Sequence, residues 1–242
     1  MDTTVMLGHG SGGTMMKRII DEVFFEAYGT DELLRGDDAA VLPALAPGER
    51  LAYSTDSFVV TPHFFPGDVV LVSGTLGDHG ITIMSCREGL NFSANIESDA
   101  APLNHLIADV LAAAPNTRCF RDPTRGGIAS TLNELAEQSG TDITVDEDAI
   151  PVKDAVLGAC EMLGYDVMQV ANEGKMVCVV AADESEAALA AMRKSPYGAD
   201  AAIIGRVTEA DPARGPKVFL RTAFGSTRIL DMLVGEQLPR IC

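Results

Sequence analysis

Residues 68–80 read Asp-Val-Val-Leu-Val-Ser-Gly-Thr-Leu-Gly-Asp-His-Gly, and this stretch sets the pattern for most of the chain. Its four consecutive apolar residues, Val69–Val72, predict a short buried strand. A glycine-rich turn follows, and residues 79–87 are then typical of a helix. From Asp68 onward, short strands continue to alternate with helices. This mixture predicts an α+β or α/β fold.

The segments on either side extend this alternation. Helices are predicted over 103–114, 128–138, 151–163 and 184–194, with Pro151 at the first position of the third. Strands are predicted over 117–120, 143–145, 176–181, 201–207 and 218–220. Upstream, residues 51–55 predict a strand that ends at Asp56. An amphipathic run at helical spacing precedes it and consists of Met16, Ile19, Ile20, Val23 and Phe24.

Composition and charge exclude several classes of protein. The chain has 242 residues, which favours one or two domains. The chain has 18 Lys and Arg residues and 35 Asp and Glu residues, which gives a formal net charge of −17. It has no run of basic residues that could bind nucleic acid or an anionic membrane. The N-terminus lacks the features of a signal peptide, and no apolar run reaches the roughly 18–20 residues of a membrane span. Five cysteines without a Cys-x-x-Cys pair indicate neither a zinc ribbon nor a disulfide framework, and they favour the cytoplasm.

Two segments have the composition of an anion-binding loop. Residues 8–13 are rich in glycine and run into the amphipathic segment, and glycines let a backbone approach a ligand while a helix N-terminus offers N–H groups. Residues 121–127, Arg-Asp-Pro-Thr-Arg-Gly-Gly, precede a predicted helix in the same way. The alternatives are a flexible glycine-rich start for the first segment, and for the second a capped loop held by an internal Arg–Asp pair.

Acidic residues and one cysteine supply further candidates. Asp37, Asp38 and Asp56 lie at loop or strand ends and suit Mg²⁺, although a solvated turn is the better interpretation of Asp37 and Asp38 in isolation. Glu173, within Ala171-Asn172-Glu173-Gly174-Lys175, could act in acid–base chemistry at the start of a strand, or could belong to a turn with an exposed ion pair. Cys242, the last residue, is a candidate nucleophile or an irrelevant frayed terminus.

Together, these segments resemble the hydrogenase maturation factors of the HypE family, in the PurM-like (AIR synthetase) superfamily. The resemblance implies an α+β, PurM-like two-domain fold. Residues 1–67 would be the remnant of an N-terminal ATP-binding and dimerisation domain, 68–235 a C-terminal α/β-layered domain, and 236–242 a flexible reactive tail. The segments that carry the resemblance are residues 9–13, 54–57, 73–80, 122–127, 171–175 and the terminal Pro239-Arg240-Ile241-Cys242.

The resemblance also implies an activity, cofactors and partners. A HypF-type carbamoyltransferase would carbamoylate Cys242, and this chain would dehydrate the thiocarboxamide to a thiocyanate with ATP and Mg²⁺. The cyano group would then pass to iron on the HypC–HypD complex for the [NiFe] hydrogenase centre, and the chain would form a homodimer. Glu173 would be the base and Asn172 an orienting group. The residues implied to bind ATP are Gly10, Ser11, Gly12, Gly13, Asp38, Asp56, Arg125, Gly126 and Gly127, and Asp38 and Asp56 would also bind the metal.

The chain departs from the family between Gly67 and Asp68. In the family, a long part of the N-terminal domain separates these two points and carries an Asn-Asp motif and a Gly-Asp-Thr-Lys motif that serve ATP, metal and catalysis. Neither motif occurs here. A true deletion and an omitted segment both fit the sequence. A true deletion predicts weak or absent ATP turnover and puts the homodimer in doubt.

Two other functions remain open from the sequence. The chain could be an ATP-dependent synthetase that acts on a free small molecule, as AIR synthetase and selenophosphate synthetase do. It could also be a non-catalytic scaffold that presents its tail to maturation partners. The response of ATP turnover to Cys242→Ala separates the first of these from a tail-directed dehydratase, and Mg-ATP binding separates the second.

Overall fold

A computed structural model describes residues 13–28, 64–88 and 96–233. The strands in these ranges are β1 (Val69–Val72), β2 (Thr117–Arg121), β3 (Asp142–Asp146), β4 (Val177–Val180), β5 (Ala202–Thr208), β6 (Val218–Arg221) and β7 (Thr227–Ile229). The α-helices are α1 (Gly13–Ile19), α2 (Phe25–Tyr28), α3 (Asp78–Glu88), α4 (Asn104–Ala113), α5 (Gly127–Ser139), α6 (Asp154–Leu163) and α7 (Ser185–Met192). A π-helical turn (Ile20–Phe24) joins α1 to α2, and short 3-10 turns occupy Glu147–Ala149, Val167–Gln169 and Ala182–Glu184.

The strands form one mixed sheet in the order β2-β4-β1-β5-β3-β6-β7. Neighbouring strands are antiparallel except for β3 and β6, which are parallel. Helices lie on both faces of the sheet. The fold is therefore α+β, as predicted.

β1 lies inside this sheet and is buried on both faces, which explains its continuous apolar sequence. Val70 and Val72 join the core that α3, α5 and α6 cover. Val69 and Leu71 join the core that α4 and α7 cover. Full burial of each such side chain contributes about 1.5–3 kcal/mol of transfer free energy, so both faces of β1 stabilise the fold.

Most predicted elements are confirmed to within a few residues, and one start is wrong. α6 begins at Asp154 rather than at Pro151. The Pro151 carbonyl accepts the N–H of Leu76 at 2.9 Å, which keeps residues 151–153 outside the helix. β7 was not predicted, because its three residues are all exposed and carry no periodic pattern. Within the described ranges, no helix combines the length and apolarity that a membrane span requires.

The Gly67–Asp68 junction forms a closed turn at the start of β1. The Phe65 N–H donates to the Asp68 carboxylate at 2.9 Å, and the Asp68 N–H donates to the Phe65 carbonyl at 2.9 Å. Arg118 bonds the same carboxylate at 3.0 Å and lies over the Phe65 ring. Gly67 has φ +102°, a conformation that favours glycine. The point where the family pattern is interrupted is thus a well-bonded turn in this chain.

Candidate functional site

Three segments of the chain meet at one end of the sheet. Val72 of β1 and Arg121 of β2 both lie opposite Val177 of β4, and both pairs are antiparallel. The residues that follow β1, those that follow β2 and those that precede β4 therefore lie side by side. We refer to them as the β1 loop (residues 73–77), the β2 loop (residues 122–126) and the β4 segment (residues 171–176). Each contains one of the motifs that the sequence singled out.

Asn172 of the β4 segment joins the other two loops. It is 1% exposed, and its Oδ1 accepts the N–H of Gly77 at 2.8 Å. Its Nδ2 donates to the carbonyls of Pro123 at 2.9 Å and Val170 at 3.1 Å. Both amide protons and the amide oxygen are therefore used within the protein. Asn172 positions the loops, and its orienting role toward a reacting group stays a prediction.

Glu173 lies at the edge of this junction with its side chain 32% exposed. Its backbone N–H donates to Asp99 Oδ1 at 3.2 Å, and its Oε1 lies 4.0 Å from Nε2 of His79. Lys175 does not form an exposed pair with Glu173, since its side chain is 11% exposed and its Nζ lies 3.7 Å from Asp99 Oδ2. A fixed, partly exposed carboxylate of this kind can take a proton from a bound group.

Gly174 brings residues 99–101 against Glu173. A Cβ on Gly174 would lie 1.7 Å from the carbonyl oxygen of Asp99 and 2.6 Å from the nitrogen of Ala101. Only glycine allows this approach of two backbones. The glycine of the Asn-Glu-Gly-Lys sequence therefore sets the distance between Glu173 and its neighbours.

A cavity of about 320 Å³ opens beside Glu173, between α4 and β2. Its wall is mainly apolar, and its polar rim includes Asp122, Glu173 and Lys175. Small-molecule sites commonly combine an apolar wall with a few polar groups in this way. The apolar residues of the wall include Leu103, Ile107, Leu111, Phe120 and Met176.

Four of the nine residues predicted to bind ATP lie in the described part of the chain: Gly13, Arg125, Gly126 and Gly127. Gly126 caps α5 with φ +74°. A Cβ on Gly126 would lie 4.0 Å from the Gly13 nitrogen and 2.1 Å from Ser130 Oγ. The structure therefore brings the start of α1 and the start of α5 together, although they are far apart in the sequence. Arg125 is exposed next to them.

Ser130, which the sequence did not single out, is a further candidate at this place. It is 2% exposed, and its Oγ is buried without a hydrogen-bond partner. The hydroxyl is close to Gly126, at the N-terminus of a 13-residue helix. A helix N-terminus with a spare hydroxyl donor fits an anionic group such as a phosphate. A serine in the first turn after Gly-Gly was the signal that could have identified it.

Arg121 is held away from this place. Its Nη2 bonds Glu134 of α5 at 2.7 Å. The β2 loop is therefore anchored by an Arg–Glu pair, whereas the capped-loop alternative expected an Arg–Asp pair. Of the two arginines in residues 121–127, Arg125 is the exposed one and belongs to the predicted anion site.

The remaining predicted site residues lie outside the described residues: Gly10, Ser11, Gly12, Asp38, Asp56 and Cys242. Within the described ranges, no cluster of three or more His, Cys, Asp or Glu side chains could hold a metal ion. The prediction of a Mg²⁺ site at Asp38 and Asp56 thus stays a prediction.

Burial makes three thiols poor candidates for a reactive group. It raises the pKa of Cys119 to about 12 and that of Cys160 to about 11, and it raises the pKa of Cys178 well above its ordinary value. All three are protonated near neutral pH, and the thiolate is the nucleophilic form. Cys86 is exposed on α3, so it is an accessible thiol that experiments on Cys242 must control for.

Comparison with known proteins finds a family match and similar proteins that agree with one another. Residues 66–215 match the family described as AIR synthase related protein, C-terminal domain. Carbamoyl dehydratase HypE of Rhodobacter capsulatus is 36% identical over 342 aligned positions, which cover 100% of this chain and 99% of that protein. Since this chain has 242 residues, 100 of those positions face no residue of it. HypE of Azotobacter vinelandii is 55% identical over 177 residues, or 73% of this chain and 51% of that protein.

Solved structures agree with these relatives. A crystal structure of the hydrogenase maturation protein HypE superposes with a TM-score of 0.71 at 44% identity, over 76% of this chain and 58% of that one. A crystal structure of HypE in complex with ATP gives a TM-score of 0.69 at 32% identity, over 99% and 100% of the two chains. A HypE–HypF complex gives a TM-score of 0.68 at 44% identity, over 72% and 56%.

Proposed function

The chain belongs to the HypE family of carbamoyl dehydratases, and we propose that it dehydrates a carbamoyl group carried on the thiol of its own Cys242. In this reaction R–S–C(=O)–NH2 becomes R–S–C≡N, and the nitrogen loses both of its protons. ATP supplies the phosphoryl group with which the carbonyl oxygen leaves as phosphate. One observation carries the proposal: Glu173, whose backbone is bonded to Asp99, lies where three segments of the chain meet and lines a cavity with an apolar wall.

Glu173 is the proposed base. Its backbone is fixed by Asp99 and by the close approach at Gly174, so the carboxylate stays near the cavity mouth. The apolar wall of the cavity keeps water from the carbamoyl group, which hydrolysis would otherwise destroy. The hydrogen bonds of Asn172 to the β1 and β2 loops hold these loops in position at the same site.

Cys242 is within reach of this site. The Leu233 carbonyl accepts the N–H of Thr14 at 3.1 Å, which places the end of the described chain beside Gly13 and Gly126. Gly126 is three residues from Pro123, whose carbonyl bonds the residue next to Glu173. The nine residues 234–242 span up to about 30 Å when extended. We propose that this length is enough to follow the path of contacts from Leu233 by Gly13, Gly126 and Pro123 to Glu173.

The phosphate groups of ATP would bind where α1 and α5 begin. Gly13 and Gly126 approach each other there, Gly127 begins α5, and the unpartnered hydroxyl of Ser130 offers a donor. Arg125 adds a positive charge nearby, and Gly10, Ser11 and Gly12 would complete the loop. Asp38 and Asp56 are proposed as the Mg²⁺ ligands. The solved HypE–ATP complex, which is similar to this chain, supports ATP as the nucleotide.

The proposed partners are the proteins that would supply the carbamoyl group to Cys242 and receive the cyano group from it. A HypF-type carbamoyltransferase would load Cys242, and the solved HypE–HypF complex supports this partner. The HypC–HypD complex would receive the cyano group, and the working state would be a homodimer in the cytoplasm. We retain residues 1–67, 68–235 and 236–242 as the N-terminal remnant, the C-terminal domain and the reactive tail.

Substitution of the two accessible thiols tests whether the tail is the substrate. With carbamoyl donor and HypF-type enzyme present, Cys242→Ala should lose all ATP-dependent product, because no thiol remains at the terminus to carry the carbamoyl group. The matched control Cys86→Ala should retain wild-type turnover. A synthetase that acts on a free small molecule would keep its turnover in both variants, and that outcome would refute the proposal.

A further inference from the structure

We propose that His79 is the second proton acceptor of the site, taking from Glu173 the first proton removed from the carbamoyl nitrogen. The inference rests on the proposed function, because it assigns a partner to the proposed base. His79 does not touch the carbamoyl group. It is therefore a positioning residue that acts through Glu173, whose Oε1 lies 4.0 Å from its Nε2.

The two nitrogens of the His79 ring have different surroundings. Nδ1 lies 2.9 Å from Ser98 Oγ. That hydroxyl also accepts the N–H of Ala100 at 3.3 Å, so Ser98 is held in place. Nε2 is buried, has no hydrogen-bond partner and lies 4.0 Å from Oε1 of Glu173. With its proton on Nδ1, donated to Ser98, the neutral ring presents a bare Nε2 toward Glu173.

An unpartnered buried nitrogen costs free energy, typically about 1–3 kcal/mol. Two other buried carboxylates, Asp78 and Asp99, each use one oxygen in a hydrogen bond, accepted from Thr75 and from the Glu173 N–H. Their second oxygens face Lys153 at 3.1 Å and Lys175 at 3.7 Å. Glu173 is the described acidic residue whose carboxylate lies 4.0 Å from Nε2, and it is therefore the one proposed to share a proton with this nitrogen. When Glu173 is protonated, a hydrogen bond to Nε2 satisfies the nitrogen.

The stoichiometry of the dehydration gives such a partner a role, because it would accept the first proton without waiting for exchange of Glu173 with solvent. Two N–H bonds break for each C≡N bond formed, and one carboxylate can hold only one proton. Glu173 takes the first proton and passes it to Nε2, which gives an imidazolium and restores the carboxylate. The second proton then goes to Glu173. The oxygen leaves as phosphate, and both protons return to solvent through the exposed part of the Glu173 side chain.

The first test needs no turnover. Nitrogen-15 NMR of the resting chain, with the His79 signals assigned by their loss in His79→Gln, reports which ring nitrogen carries the proton in the neutral form. The proposal expects the proton on Nδ1 and a bare Nε2, and it expects Ser98→Ala to weaken this preference. A neutral ring protonated on Nε2 cannot accept a proton from Glu173 and overturns the proposal.

The second test measures thiocyanate formation on the carbamoylated chain. His79→Gln, which keeps a polar group but accepts no proton, should slow product formation by about tenfold to a hundredfold with little change in KM for ATP. Added imidazole should partly restore the rate of His79→Ala, whereas His105→Gln, on an exposed site of α4, should match the wild type. Wild-type rates in His79→Gln overturn the proposal. If the wild type itself makes no product, the proposed function fails and the role of His79 fails with it, whereas product in the wild type with an unchanged rate in His79→Gln overturns the role of His79 alone.

Discussion

Asn172 shows how a single side chain determines the geometry of the candidate site. It accepts one hydrogen bond and donates two, and each of its partners belongs to a different stretch of backbone. No periodicity in the sequence reveals such a role, because Gly77 and Pro123 are distant in the chain. The sequence did place Asn172 in a motif, but only the fold shows which groups it bonds.

We expect Asn172→Ala to lower the free energy of unfolding by about 2–4 kcal/mol. The substitution leaves the buried N–H of Gly77 without a partner and removes the side-chain bond to the carbonyl of Pro123, which keeps its bond from the backbone N–H of residue 172. Urea denaturation checks the value, with Asn104→Ala at the exposed start of α4 as the control that should change it by less than about 0.5 kcal/mol. Equal effects of the two substitutions would mean that Asn172 does not hold the loops.

Glu173→Gln separates binding from chemistry. The amide preserves the size of the side chain and the backbone bond to Asp99, so ATP binding should persist. Loss of the base should lower the rate at which the carbamoylated tail is dehydrated by about 10²–10⁴. Calorimetry and intact mass measure the two properties, and Glu161→Gln on the exposed face of α6 is the control. Dehydration at wild-type rate in Glu173→Gln would remove this residue from the mechanism.

At the scale of elements, the sheet topology creates the site. The β1 loop, the β2 loop and the β4 segment meet because their strands are antiparallel neighbours with a common register at Val177. Apolar runs in the sequence were enough to locate these strands. Their order in the sheet could not be read from the sequence, since many orders bury the same residues. The 4.0 Å approach of Glu173 to His79 depends on that order, so the sequence did not identify it.

Two glycines of the fold should respond in opposite ways to alanine. Gly158 lies inside α6 with open space around a Cβ, so Gly158→Ala should stabilise the protein by about 0.5–1 kcal/mol. Gly174→Ala should destabilise it strongly, because the new Cβ would overlap the Asp99 carbonyl. Thermal or urea unfolding of both variants checks the difference. A neutral Gly174→Ala would contradict the close approach of the two backbones.

At the scale of the whole molecule, buried thiols make stability sensitive to high pH. The pKa of Cys119 is raised by burial to about 12 from 9.0, so the unfolded chain loses its thiol proton at lower pH than the folded protein does. Below about pH 9, the contribution of the protonated Cys119 thiol to stability is therefore fully present. As the pH rises further, the free energy of unfolding falls by roughly 1.4 kcal/mol for each pH unit, up to the pKa of this thiol in the folded protein. Unfolding at pH 8 and 10.5 should show a smaller decline in Cys119→Val than in the wild type or in Cys86→Ala. An identical decline in all three would contradict the burial of this thiol.

The junction at Gly67–Asp68 also belongs to this scale. A bonded turn lies where the resemblance leads us to expect a longer segment, and the Asn-Asp and Gly-Asp-Thr-Lys motifs are absent from the chain. If the shorter chain is the working form, its ATP turnover should be weaker than that of the longer HypE proteins. Turnover at their level, measured with a carbamoylated tail, would show that these motifs are dispensable.

The most direct test of the central claim is the mass of the chain carbamoylated on Cys242, measured before and after addition of Mg-ATP in a single turnover. We predict the loss of one water, located by fragmentation to the C-terminal peptide and absent when ATP is withheld. A carbamoyl group that stays intact with ATP, or a loss of water on any other peptide, would contradict the claim.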